Sequence, residues 1–144
     1  MTAVAIKDGV VAADSSRWHG ELCFSSAKKI HRLGDGSLIT SAGSEELILA
    51  VQEWLEFGMP QDNKPDMVDL SKDGYTVLWL TADGMYRFDG TLNYVGEAAP
   101  FMAGGCHADF LMGAMAAGAS AEEAVALAIE HCAFARGPLQ VERL

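Results

Sequence analysis

Thr2 is the residue with the most chemistry to offer. A threonine hydroxyl is a weak nucleophile and needs a base beside it. Once Met1 is removed, Thr2 carries a free α-amine. The ordinary pKa of such an amine, about 7.7–8.0, lets it take the hydroxyl proton near neutral pH. One residue would then supply both nucleophile and base. The side chain at position 2 is small, the kind that permits methionine removal. A retained Met1 would turn the amine into an amide and abolish its basicity. Small residues commonly follow a first methionine, so Thr2 means something only through its surroundings.

The other chemistry-bearing residues are dispersed. His19, His31, His107 and His131 are scattered along the chain and fit structural or surface roles better than metal ligation. Cys23, Cys106 and Cys132 are odd in number and match no zinc spacing. Cys106 and His107 are sequence neighbours, which on an extended chain point opposite ways. The sequence has no nucleophile elbow, no phosphate-cradling glycine loop and no HExxH. Neither a metal nor a cofactor is expected.

The elements that must position Thr2 follow from patterning. Residues 2–6 read as a strand, Asp8-Gly9 as a tight turn and residues 10–13 as the returning strand, which runs into Asp14. Residues 15–20 are polar and loop-like, and residues 21–24 form a short strand candidate. Residues 28–33 alternate as a half-buried strand, turn at Gly34-Asp35-Gly36 and return over residues 37–41. Two hairpins in succession suggest an antiparallel sheet. Ser44 then caps a helix with Glu45 and Glu46 at its positive end, and Leu47, Ile48, Val51, Trp54 and Leu55 form its apolar stripe. Gly58 and Pro60 stop it. Residues 61–72 read as a loop with one helical turn at most. Strands follow at 75–80, 85–88 and near 92–95, with turns at Ala82-Asp83-Gly84 and Asp89-Gly90. Residues 100–103 lead into Gly104-Gly105. A small-residue helix over 108–117 ends at Gly118, Ser120 to Glu123 form a capping box, and a last helix runs to about Ala135. Gly137-Pro138 breaks it, and residues 139–144 close as a strand. Hairpins with segregated helices imply an α+β fold, most simply two sheets inside and helices outside.

Size and charge bound the function. The 144 residues fit one domain, spanning 1–144, with a core that needs no staples. Half the residues are hydrophobic and 21% are charged, as in ordinary globular chains. A net charge of −10 argues against nucleic acid or an anionic membrane as partner, and serves solubility equally well. No signal-peptide pattern or bilayer-length apolar run is present, so a reduced, cytoplasmic setting is expected.

The segments TAVAIKDGVVAADSS, AKKIHRL and LITSAGS, followed by a helix, resemble in order and spacing the proteasome β-type peptidases. The likeness is to their bacterial ring-forming relatives, short phage-encoded members included. GGCHADFLMGAMAAGASAEEAV is similar to the family's G-S-G turn and paired helices, and GPLQVERL to its closing strand. The resemblance implies a four-layer αββα sandwich of the N-terminal-nucleophile hydrolase type, here with a reduced helical layer, since one helix follows Gly43 where the family has two. It implies Thr2 as nucleophile, Lys29 beside its hydroxyl and Asp14 holding Lys29 charged. It further implies the Gly43 N–H as oxyanion donor, with Ser41 and Glu45 flanking the pocket for the residue before the scissile bond. Glu45 would bias that pocket toward basic or polar side chains, and serves equally as a helix-opening charge. The chain departs from the family at its supporting residues: Cys106 stands at the turn serine, Cys132 at an aspartate and Ala135 at a second serine. The implied activity is threonine-type peptide hydrolysis inside a homo-oligomeric ring fed by an ATP-driven unfoldase. A non-catalytic assembly component on the same fold, or an amidohydrolase acting on a small amide, are the alternatives.

Overall fold

Asp8 and Gly9, both at positive φ (52° and 74°), fold the first strand back on itself. A turn of that hand matches strand twist. The computed structural model describes residues 2–25, 27–66, 74–88 and 91–144. β1 (Ala3–Lys7) and β2 (Val10–Ala13) pair antiparallel with Ile6 opposite Val11. β10 (Phe101–Gly105) flanks β1, and β11 (Gln140–Arg143) flanks β2, giving a four-stranded sheet in the order β10-β1-β2-β11.

A second sheet runs β5 (Ile30–Arg32), β6 (Leu38–Ala42), β7 (Thr76–Thr81), β8 (Gly84–Phe88) and β9 (Tyr94–Gly96), all antiparallel neighbours. The two hairpins expected in succession therefore belong to different sheets. β3 (Ser16–His19) and β4 (Leu22–Ser25) form a separate two-stranded hairpin between them in sequence. Residues 15–20 read as a loop from their polarity, yet 16–19 pair as a strand. Arg17 and His19 are exposed, so backbone pairing rather than burial defines this element.

Three helices complete the described α+β fold. Ser44 caps α1 (Glu45–Glu56) by accepting from the Leu47 N–H at 3.2 Å. α2 (Ala108–Ala116) leads through Gly118 to α3 (Ala121–His131), whose reciprocal Ser120–Glu123 capping box is complete. A single 3-10 turn at Gln61–Asn63 matches the expected helical turn. Residues 67–72 of the expected loop and the Asp89-Gly90 turn lie outside the described residues. α3 ends at His131, four residues before the expected end, because the following backbone is drawn to Asp14: the Arg136 N–H donates to its carboxylate.

Side-chain alternation explains the stacking. In β1, Ala3 and Ala5 join Leu111, Met115, Val125 and Ala128 of α2 and α3 in one cluster. Val4 and Ile6 point the other way, into a cluster with Val11, Ile30, Leu38, Leu78 and Met102 that joins the two sheets. Ile39 and Val77 leave the second sheet on its far side to meet Leu47, Val51 and Trp54 of α1. β1 thus buries both faces, and a one-residue slip would exchange small alanines for large aliphatics on each. Among the described residues no helix is long and apolar enough to cross a membrane.

Candidate active site

Thr2 precedes β1 and sits almost fully buried, at 6% exposure. Its hydroxyl oxygen accepts from Lys29 Nζ at 3.0 Å, and the same ammonium donates to Asp14 Oδ1 at 2.6 Å. Asp14 is fully buried and Lys29 nearly so. The hairpin explains why Thr2 and Asp14 meet. β1 and β2 pair Val4 with Ala13, so the residues just beyond that pair lie side by side. The Asp14 N–H donates to the Ala3 carbonyl at 3.0 Å, and the Ala3 N–H donates back to Asp14 Oδ1 at 2.9 Å.

A buried carboxylate must be saturated with donors. Asp14 Oδ2 accepts from the Ser16 N–H at 3.1 Å, from the Ser16 hydroxyl and from the Arg136 N–H at 3.3 Å. The Lys29 ammonium is pushed below the ordinary lysine value by burial, while the Asp14 charge and hydrogen bond oppose that.

Gln140 on β11 clamps the strand ends together. Its Oε1 accepts from the Lys29 N–H at 3.0 Å. Its amide nitrogen donates to the Ala27 carbonyl and Ser15 Oγ, each at 2.7 Å, and to the Asp14 carbonyl at 3.2 Å.

Thr2 opens onto a cleft of about 470 Å³ that Lys29, Ser41, Gly43 and Glu45 also line. A slightly larger cavity of about 520 Å³, between Glu53, Trp54, Phe57, Pro60 and Asp66, touches none of these residues. Gly43 has φ +138°, and a Cβ there would lie 3.0 Å from Tyr75 Cβ. Glycine is required at that turn by its conformation and by the close approach of the chain at residues 74–75.

This frame has known counterparts. Eukaryotic HslV from Trypanosoma brucei superposes with a TM-score of 0.71 at 23% identity, over 98% of this chain and 97% of that one. The protein BPH of Thiobacillus denitrificans superposes at 0.69 and 22% identity, over 99% of this chain and 96% of that one. Its complex with epoxomicin gives 0.70 at 21%, over 99% and 97%. This chain has the HslV fold. No family profile matches the sequence, and no curated protein matches it.

On the HslV fold the expected residues Thr2, Asp14 and Lys29 meet at one point, with Gly43, Ser41 and Glu45 along the same cleft. Glu45 is not free, because Arg17 Nη2 lies 2.6 Å from its carboxylate. Cys106, at the turn between β10 and α2, donates its thiol to the Thr2 carbonyl at 3.6 Å. Cys132 caps the end of α3, its thiol pushed up by burial and by Cys106. Ala135 is fully buried in the apolar cluster under α3. Asp109, close in sequence to Cys106, is exposed in the first turn of α2. Sequence reasoning missed Ser16, Arg136 and Gln140, whose bonds to the site span up to 126 residues. It also missed the role of Gly105: at φ +90°, a Cβ there would lie 1.9 Å from the Thr2 carbonyl oxygen.

Proposed function

We propose that the protein is an N-terminal threonine peptidase, active once the bond between Met1 and Thr2 is cut. What supports this is the buried chain of contacts from Asp14 through Lys29 Nζ to the Thr2 hydroxyl, at 2.6 and 3.0 Å, at the edge of a cleft. The freed Thr2 amine takes the hydroxyl proton, and Oγ attacks the peptide carbonyl carbon. Lys29, kept charged by Asp14, stabilises the oxygen as it loses that proton. The carbonyl oxygen becomes an oxyanion, to which the Gly43 N–H donates; one such donor is worth about 2.7–4 kcal/mol. The tetrahedral centre collapses, the C–N bond breaks and the amine departs with the proton. Water then hydrolyses the Thr2 ester by the same route in reverse, and Ser41 and Glu45 flank the side chain before the cut bond.

The proposal extends to assembly. The three apolar clusters are the seams of a four-layer αββα sandwich with a reduced helical layer among the described residues, and the chain works as a cytoplasmic homo-oligomeric ring that takes unfolded protein from an ATP-driven unfoldase. A non-catalytic assembly role is the second reading. It is favoured by Cys132 and by the buried Ala135, where the resemblance led to an aspartate and a serine. Intact mass decides first: the peptidase requires a mass one methionine lower. Epoxomicin, bound by one structural neighbour, should then add to the parent and not to Thr2→Ala. Thr2→Ala, with its fold intact, should lose peptide hydrolysis by about three orders of magnitude or more. Parental rates in that variant would sink the mechanism.

A further inference from the structure

The protein is strongly acidic, with 20 carboxylate side chains against 10 lysines and arginines. The cleft beside Thr2 has the opposite balance. Arg17, Lys28 and Lys29 line it together with His19 and His31, and among the described residues Glu45 is its single carboxylate. Three of the ten strong cations therefore gather around one opening.

Three of these charges are already answered. Lys29 is paired with Asp14 at 2.6 Å, and Glu45 is held by Arg17 at 2.6 Å. Lys28 is exposed and has no carboxylate partner among the described residues. It lies near enough to His31 to depress that imidazole, after burial, below its ordinary value. His31 is thus a neutral donor or acceptor at pH 7. Glu45 alone would draw a basic side chain. With Arg17 on it, the pair is neutral and the surplus charge of the cleft is positive. Arg17 meets Glu45 through Nη2, and a guanidinium carries five N–H donors, enough to hold a second carboxylate alongside.

We infer that this cleft selects an acidic side chain, aspartate or glutamate, just before the bond to be cut, with Lys28 and Arg17 as the recognising groups. The inference rests on the peptidase reading for its cut bond, but the charge preference belongs to the cleft itself. The site is solvent-facing, so its discrimination matches that of an exposed ion pair, roughly fivefold for Glu over Gln, and should fade with added salt.

The test uses quenched peptides that differ only in Glu, Gln or Lys before the scissile bond. The full-length protein is assayed for kcat/KM. Thr2→Ala, shown folded by circular dichroism, is assayed for binding by fluorescence anisotropy. The expected order is Glu above Gln above Lys in both assays. Arg17→Gln with Lys28→Gln should remove or invert that order, because Glu45 is then unopposed. Glu45→Gln should sharpen it. Cleavage with Lys equal to or above Glu overturns the selectivity and leaves the peptidase standing. Tightest binding of the Glu peptide with no cleavage keeps the selectivity and removes the peptidase. Binding of none of the three removes both.

Discussion

Replacing Asp14 with asparagine tests the reasoning behind the site most directly. The change keeps the side-chain shape and removes one buried charge. Lys29 then loses its 2.6 Å partner and keeps the Thr2 hydroxyl, while remaining only 7% exposed. Breaking a buried pair by removing one partner costs about 3–5 kcal/mol. An upper bound comes from the lysine itself. It escapes by releasing its proton, which at pH 7, against an ordinary value of 10.5, costs about 5 kcal/mol. The two figures agree, and they translate into a fall in Tm on the order of 15 °C for a domain of this size. The sign of the pH dependence follows. A lysine depressed in the folded state binds fewer protons than the unfolded chain, so the deficit of Asp14→Asn shrinks as pH rises toward 10.5. Lys29→Met should cost less than Asp14→Asn, because Asp14 retains donors from Ala3, Ser16 and Arg136. Adding Lys29→Met to Asp14→Asn should recover part of the loss. The rest reflects backbone N–H groups that an amide nitrogen cannot accept. Urea unfolding monitored by circular dichroism at pH 7 and pH 10 measures all of these. A deficit below about 1 kcal/mol, where exposed pairs lie, or one that stays flat between the two pH values, would refute the argument.

Two further outcomes are expected. Gly105→Ala places a Cβ 1.9 Å from the Thr2 carbonyl oxygen at φ +90°. It should cost at least about 2 kcal/mol in chemical denaturation and reduce peptide hydrolysis; a neutral variant would show that the turn has room. The kcat/KM profile should be bell-shaped, rising as the Thr2 amine loses its proton and falling as Lys29 does. Burial places that basic limb below 10.5, and Asp14→Asn should move it lower still, so a limb that moves up in the variant contradicts the electrostatic role of Lys29.

The site was legible where local rules and chain order coincide. The Asp8-Gly9 turn fixes the β1–β2 register, and that register alone brings Asp14 beside Thr2. Lys29 sits at the start of a strand whose alternation is plain in the sequence. The capping residues Ser44 and Ser120 act as their types suggest. What was not legible depends on distant partners. Nothing in the polar run 15–20 announces a strand, because its pairing with β4 leaves Arg17 and His19 in solvent. The end of α3 was misplaced because Arg136 satisfies Asp14 rather than continuing the helix. Glu45 was read without Arg17, a partner that the hairpin β3–β4 brings from 28 positions earlier in the chain.

The clamp made by Gln140 bears on when the site comes into being. Thr2, Asp14 and Lys29 are made within one short stretch, but the amide that ties Lys29 and Asp14 to each other's strands is encoded 111 residues after Lys29. A chain still being made holds every reactive group of the proposed site and lacks the bolt that aligns them. Loss of β11 would leave the Lys29 N–H and the Asp14 carbonyl without these bonds, so the reactive centre depends on a strand made long after its own residues.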